Sequence, residues 1–205
     1  MADEIKKIYE QFNTNIDLIY SLLNKSIKLY DDNTVKYDKN LHYKVVESCF
    51  VDVFNCWESF LENTFIYYLL GHQNLKGESY KCYAKPKDKK HAYNIIKGIR
   101  AYPKWTEFQE LSCLSGLYFE DHGPFACLEE NPLEINEVKN IRNFISHKSE
   151  KSKQVFQQVL IRNLSIKDNI NAAEYLLKIK TKEKITYFAY YTEFLRLYVD
   201  RICVK

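Results

Sequence analysis

Glycine and proline are missing from both ends of this 205-residue chain. All five glycines and all four prolines fall between positions 71 and 132. Because these are the two strongest helix breakers, their absence predicts long helices at both ends and an irregular middle between them.

The chain also lacks a long uncharged apolar run and any Cys-x-x-Cys pair. The longest such run in the second predicted helix, Phe65 to Leu70, is far shorter than the roughly 20 residues that a membrane-spanning helix needs. Unpaired cysteine spacing and an N-terminus without a signal-peptide pattern fit reduced thiols in a cytosol. We therefore expect a soluble cytoplasmic protein without a membrane segment.

Standard nucleotide and metal motifs are absent as well: there is no P-loop, no G-x-S-x-G elbow and no H-E-x-x-H pair. Cys113, His122 and Cys127 are the nearest approach to a metal site, but their spacing matches no standard zinc pattern and a fourth ligand is missing. The sequence predicts neither a metal nor a cofactor.

Apolar residues recur every three or four positions in three stretches of the chain, which is the spacing of one helix face. The first stretch contains Ile5, Ile8, Phe12, Ile16, Ile19, Leu23 and Ile27; the second Val46, Phe50, Val53, Trp57, Phe60, Thr64 and Tyr68; the third Ala172, Tyr175, Leu176 and Ile179, then Ile185, Phe188, Tyr191, Leu195, Val199 and Ile202. The third predicts one helix or a broken pair. Together with the motif helix described below, these stretches predict an all-α, antiparallel helical bundle with an irregular Gly/Pro-containing middle insertion, in a single domain covering residues 1–205.

Charge is distributed unevenly although the net charge is only +3. Residues 76–104 contain nine Lys or Arg against two acids, and residues 106–137 contain eight acids and no Lys or Arg. Such blocks are commonly solvated loops, but they could also bind a polyanion and a basic surface respectively. The basic block alternates Lys with tyrosines such as Tyr80 and Tyr83, a mixture that can bind phosphates and stack on bases.

A further helix is predicted from Pro132 to His147. Asn131 is a typical N-cap, Pro132 suits the first turn, and Glu134 stands at the capping-box position. At about 100° per residue, Arg142, Asn143, Ser146 and His147 share one side of this helix, and Val138, Ile141, Phe144 and Ile145 share the other. The apolar side predicts burial, which would direct the polar side outward.

This polar side suits a phosphodiester. Histidine can transfer protons at neutral pH, and arginine offers a fork of donors to phosphoryl oxygens. Metal-free RNA cleavage needs a base, an acid and a cation for the charge that develops on phosphorus. Since one histidine does not conveniently serve as both base and acid, the chemistry favours a homodimer in which two copies of the helix meet.

Two segments resemble a known family. Residues 142–147, Arg-Asn-Phe-Ile-Ser-His, resemble the R-x4-6-H signature of the HEPN superfamily, including its polar residue after the arginine. Residues 57–62, Trp-Glu-Ser-Phe-Leu-Glu, resemble the W/F-E-x-F/Y-L pattern of stand-alone RiboL-PSP-type HEPN proteins. The resemblance implies a HEPN fold, a homodimer with the motif at its interface, and metal-independent endoribonuclease activity in a toxin–antitoxin or antiphage system, with an antitoxin or defence partner. It also implies that Arg142 and His147 are catalytic and that Asn143 supports them.

One position departs from the pattern. HEPN toxins paired with nucleotidyltransferase antitoxins have a tyrosine, the target of modification, two residues after the histidine, whereas this chain has Ser149. Silencing by that route is therefore not expected.

Supporting residues are predicted within the motif, in the second helix and directly after the motif. Ser146 lies on the same helix face, and Glu58 is either a buried carboxylate that orients Arg142 or an exposed residue beside the apolar stripe. Lys148, Lys151 and Lys153 are placed to attract RNA, with a solvated helix end as the equal alternative.

Ordinary alternatives exist for the central pair as well. His147 could simply cap helix carbonyls, and Arg142 could form a surface ion pair with Glu137 or Glu150. The leading hypothesis for function is an endoribonuclease. The competing hypotheses are a non-catalytic RNA-binding or protein-interaction module that partners a sensor or ATPase, and a nucleotide-sensing helical domain.

Overall fold

Helices make up most of residues 2–32, 37–98, 103–165 and 170–204, which are the residues that the computed structural model describes. The elements in chain order are α1 (Ala2–Asp31), α2 (Lys39–Leu69), α3 (Lys89–Lys97), α4 (Phe108–Tyr118), a 3-10 segment (Glu120–Glu130), α5 (Pro132–His147), α6 (Glu150–Leu164), α7 (Ala172–Leu177), β1 (Ile179–Lys180), β2 (Ile185–Thr186) and α8 (Tyr187–Val204). The strands form one small antiparallel hairpin, in which Ile179 pairs with Thr186. The all-α prediction is confirmed.

The described chain forms two compact units, each built from segments that are distant in sequence. The first contains Met1–Asn13, Trp57–Asn136 and Leu195–Lys205; the second contains Thr14–Cys56 and Glu137–Phe194. The single-domain assignment stays a prediction.

Aromatic rings dominate the core of the first unit. Phe65 lies at its centre, with its ring centroid 5.4 Å from that of Trp105 and 5.1 Å from those of Phe119 and Phe125. The buried Tyr68 hydroxyl donates to the carbonyl of Ile202 at 2.7 Å. The core therefore joins α2, the middle of the chain and α8 within this unit.

The second unit packs α1 and α2 segments against α8. Phe50 of α2 contacts Phe188 and Tyr191 edge to face, at centroid distances of 5.9 and 6.2 Å. Tyr20 of α1 makes the same kind of contact with Phe188 at 5.8 Å. These aromatic contacts bury large apolar areas and fix the helices against one another.

The predicted apolar stripes of the first two helices are confirmed, because most of their members are buried. In the first two helices, the buried members are Ile5, Phe12, Ile16, Ile19, Leu23, Val46, Phe50, Val53, Trp57, Phe60, Thr64 and Tyr68. The third stripe is a broken pair, since the hairpin separates α7 from α8. Two of its predicted members are wrong, because Ile179 and Ile185 lie on the hairpin strands and are exposed. None of the described helices combines the length and apolar character needed to cross a membrane.

The middle of the chain is more helical than its glycines and prolines suggested, because α3 and α4 form within it. Its basic and acidic blocks also contact each other. Cys82 forms an antiparallel β-bridge with Phe119, and the Lys81 Nζ pairs with the Glu120 carboxylate at 2.5 Å. Arg100 of the basic block lies outside the described residues.

Candidate active site

Helix α5 begins at Pro132 and ends at His147, as the sequence predicted. Val138, Ile141 and Ile145 are buried, and the half-buried Phe144 ring stacks on Phe156 of α6 at 4.4 Å. At the start of the helix, the Asn131 side-chain amide donates to the Tyr198 hydroxyl at 2.7 Å, and the capping role of its side-chain oxygen stays a prediction. The buried face directs the opposite face of α5 away from the core, as expected for a 3.6-residue period.

Arg142 is held against an aromatic ring. Its guanidinium carbon lies 4.9 Å from the centroid of Phe54, a buried residue of α2, which is a cation–π distance. Its Nη1 donates to Asn143 Oδ1 at 3.2 Å. The sequence had placed Asn143 beside Arg142 but gave no sign of Phe54, which is distant in the chain.

The Arg142 guanidinium has no carboxylate partner within 4 Å among the described residues, and its Nε is buried without a hydrogen bond there. This matters because an arginine in a salt bridge would have to exchange that partner for a phosphate. The arrangement leaves the donors of the two Arg142 Nη groups that are not bonded to Asn143 for an added anion, whereas the buried Nε faces the protein.

Glu137, one of the two partners considered for Arg142, is committed elsewhere. The residue is 4% exposed, and its carboxylate accepts hydrogen bonds from Arg162 Nη1 at 2.7 Å, Asn163 Nδ2 at 3.1 Å and the Tyr191 hydroxyl at 2.7 Å. The surface ion pair with Glu137 is therefore ruled out. The other considered partner, Glu150, is exposed in the first turn of α6.

Two tyrosines extend this network into the core. The Tyr175 and Tyr191 hydroxyls lie 2.9 Å apart. Burial raises the pKa of both above the ordinary tyrosine value, with the Glu137 charge adding to the rise. Both hydroxyls therefore stay protonated at neutral pH, so Tyr191 remains a donor to Glu137.

His147 is the last residue of α5, and its side chain is exposed. Ser146 beside it is exposed as well. Neither side chain has a hydrogen-bond partner among the residues that the structure describes. The alternative in which His147 caps helix carbonyls is thus not formed in this conformation, and its imidazole is open to an added group.

The residues after His147 form a tight connection between two helices. Lys148 adopts a left-handed conformation with φ of 47°, and its amide donates to the Phe144 carbonyl at 3.1 Å. Ser149 is the N-cap of α6, since its hydroxyl accepts from the Ser152 amide at 3.2 Å. The residue that departs from the toxin pattern therefore has a structural use here.

The three predicted RNA-binding lysines differ in their surroundings. Lys148 Nζ lies 4.0 Å from the carboxylate of Glu47, a residue of α2 that is largely buried. Lys151 and Lys153 are exposed on the first turn of α6, with no ion pair among the described residues. Lys151 and Lys153 are thus better placed than Lys148 to meet an external phosphate.

Glu58 belongs to the first compact unit and is half-buried, whereas Arg142 belongs to the second. Glu58 is therefore neither the buried carboxylate nor the exposed residue that the sequence suggested as alternatives. Its role in orienting Arg142 stays a prediction.

The structure describes all three residues weighed as metal ligands. His122 Nδ1 lies 3.0 Å from Ser115 Oγ and 3.3 Å from a Glu129 carboxylate oxygen. Cys113 is exposed on α4, and the half-buried Cys127 donates from its Sγ to the Pro124 carbonyl at 3.6 Å. Within the described part of the chain, no three His, Cys, Asp or Glu side chains cluster as a metal site would require. His122 instead stabilises a turn in which Asp121, His122 and Gly123 all have positive φ.

Taken together, the fold and site define an all-α protein in which a helix presents arginine, asparagine, serine and histidine from its polar face. No known protein family, no curated protein and no solved structure matches the chain.

Proposed function

We propose that the chain is a metal-independent endoribonuclease of the HEPN type. The observation that supports this most is the state of Arg142: it is fixed by Phe54 and Asn143 but has no carboxylate partner among the described residues. An exposed imidazole at the end of the same helix adds a proton-transfer group. These are the two kinds of group that phosphodiester cleavage without a metal requires.

In the proposed reaction, the ribose 2′-hydroxyl attacks the adjacent phosphorus while a histidine takes its proton. The bond between phosphorus and the 5′ oxygen breaks, and a second group, acting as the acid, protonates that oxygen. The products are a 2′,3′-cyclic phosphate and a free 5′-hydroxyl. Arg142 would stabilise the negative charge on the phosphoryl oxygens, and Asn143 would hold Arg142 in place.

A homodimer would supply the second histidine, with one motif helix from each copy at a shared site. Light scattering at micromolar protein concentration is expected to give the mass of a dimer. A monomer under those conditions that still cleaves RNA would contradict the shared site.

The RNA would approach along the start of α6, where Lys151 and Lys153 are exposed. By resemblance to stand-alone HEPN ribonucleases, the biological setting that we propose is a toxin or antiphage effector, held in check by an antitoxin or defence partner. Ser149 makes modification of a tyrosine at that position unavailable as the means of control.

The proposal is tested with matched oligonucleotides. In the presence of EDTA, the protein is expected to cleave a single-stranded RNA and to leave the DNA of the same sequence intact, because DNA lacks the attacking hydroxyl. A single 2′-deoxy substitution at the mapped cleavage position should protect that bond alone. Cleavage of the DNA, or loss of RNA cleavage in EDTA, would contradict the mechanism.

A second candidate function is a non-catalytic interaction module, in which Arg142 and His147 only hold the dimer together. It is favoured by a row of exposed leucines on α1: Leu18, Leu22 and Leu29. Such a row commonly marks a protein-binding surface. Partner binding that survives Arg142→Ala, together with no cleavage of any cellular RNA, would establish this function in place of the nuclease.

A further inference from the structure

Residues 81–87 form a short irregular segment of the first unit in which exposure alternates with position. Lys81, Tyr83, Lys85 and Lys87 are exposed, whereas Cys82, Ala84 and Pro86 between them are half-buried. We call the four exposed residues the basic ledge. The β-bridge between Cys82 and Phe119, with the Tyr83 amide donating to the Tyr118 carbonyl at 2.9 Å, fastens its beginning to the core.

The charges of the basic ledge are only partly neutralised. Lys81 is paired with Glu120, but the amines of Lys85 and Lys87 have no carboxylate within 4 Å among the described residues. Asp88 follows directly, yet its carboxylate accepts from the His91 amide at 2.8 Å as the N-cap of α3. Lys85 and Lys87 therefore remain as cations that face solvent.

An exposed aromatic ring and an open cavity lie beside these cations. Tyr83 is 60% exposed, so much of this residue is accessible from solvent. Behind the segment is an open cavity of about 250 Å³, lined by Leu69, Leu70, Tyr80, Pro86 and the Lys85 side chain among others. Cations next to an exposed aromatic ring are the combination by which proteins bind single-stranded nucleic acid.

We infer that the basic ledge binds single-stranded RNA. Lys85 and Lys87 contact phosphates, a base stacks on Tyr83, and the cavity receives the edge of a neighbouring base. The inference rests on the proposed action on RNA, and it adds a substrate-binding surface outside the candidate active site. A single strand fits better than a duplex because only unpaired bases offer their faces to a tyrosine.

The test measures binding separately from cleavage. Binding of a fluorescein-labelled single-stranded RNA is followed by anisotropy at several salt concentrations, with His147→Ala present in every protein so that no substrate is consumed. The double variant Lys85→Gln with Lys87→Gln is expected to raise Kd about tenfold and to lower the slope of log affinity against log salt by roughly 1.4, since each single-strand phosphate contact contributes about 0.7. The control is Lys25→Gln with Lys28→Gln, which removes the same charge from exposed positions on α1.

Tyr83 gives an independent arm. Tyr83→Ala is expected to raise Kd about tenfold with the salt slope unchanged, because stacking releases no counterions, and Tyr83→Phe should restore binding. The inference would be overturned if the Lys85/Lys87 variant and the Lys25/Lys28 control weakened RNA binding equally. It would also be overturned if the ledge bound vesicles of anionic phospholipid but not RNA. Failure of the nuclease proposal would be recognised by a different result. The unmodified protein would leave RNA intact, while the ledge variants would still lose RNA binding.

Discussion

Replacing His147 by alanine is expected to slow RNA cleavage by at least about 10²-fold, because a positioned general acid or base typically contributes about 10² to 10⁴ in rate. The measurement is the single-turnover rate on the mapped RNA substrate in EDTA. In the proposed shared site, one substitution removes the histidine of both copies at once, so base and acid are lost together. The effect should therefore lie toward the upper part of that range.

The fold should survive this change. The His147 side chain is exposed at the end of α5 and has no hydrogen-bond partner among the described residues. We expect an unchanged circular dichroism spectrum and a thermal midpoint close to that of the unmodified protein. His72→Ala is the control, since it removes a half-buried imidazole that packs on Tyr67 in the first unit. Cleavage that persists in His147→Ala, or is lost equally in His72→Ala, would refute a catalytic role for His147.

The polar face of α5 could be predicted because its cause is local. The three- and four-residue spacing of Val138, Ile141 and Ile145 decides which side is buried, and Pro132 marks where the helix begins. Once one side is buried, the direction of Arg142 and His147 follows from helix geometry alone.

The surroundings of that face could not be predicted, because they depend on residues distant in sequence. Phe54 lies beneath Arg142 although a whole irregular region separates them in the chain. From the sequence, Glu137 was one acid of a charged block and a possible surface partner of Arg142, yet its three donors come from α6 and α8. No local pattern reports such contacts, since helix packing alone brings them together.

The same dependence on contacts distant in sequence explains why the three predicted RNA-binding lysines have different surroundings. Lys148, Lys151 and Lys153 look alike in the sequence, but only Lys148 follows the helix end in a left-handed conformation close to Glu47. Conversely, the sequence shows the basic ledge only as part of a longer basic block, and the alternation of exposed and half-buried residues along it is visible only in the structure.

The second large effect is expected on stability. Glu137→Ala should lower the free energy of unfolding by roughly 3 kcal/mol, because it leaves the buried Tyr191 hydroxyl and the Asn163 amide without their acceptor and frees the charge of Arg162. Arg162 is 45% exposed along its side chain and can regain water, which keeps the estimate at the lower end for a broken buried pair. Urea unfolding followed by circular dichroism would show a lower midpoint with the same slope.

Glu150→Ala is the matched comparison, since it removes an exposed carboxylate from the first turn of the next helix and should cost less than about 1 kcal/mol. Equal costs for the two substitutions would mean that the Glu137 network does not hold α5. Tyr191→Phe separates the contributions further, because it removes one donor while Arg162 and Asn163 still donate to Glu137. Its loss in the free energy of unfolding should therefore be smaller than that of Glu137→Ala. Because Glu137 fixes the helix that bears Arg142 and His147, Glu137→Ala protein that remains folded at low temperature should also cleave RNA more slowly, through displaced groups rather than lost ones.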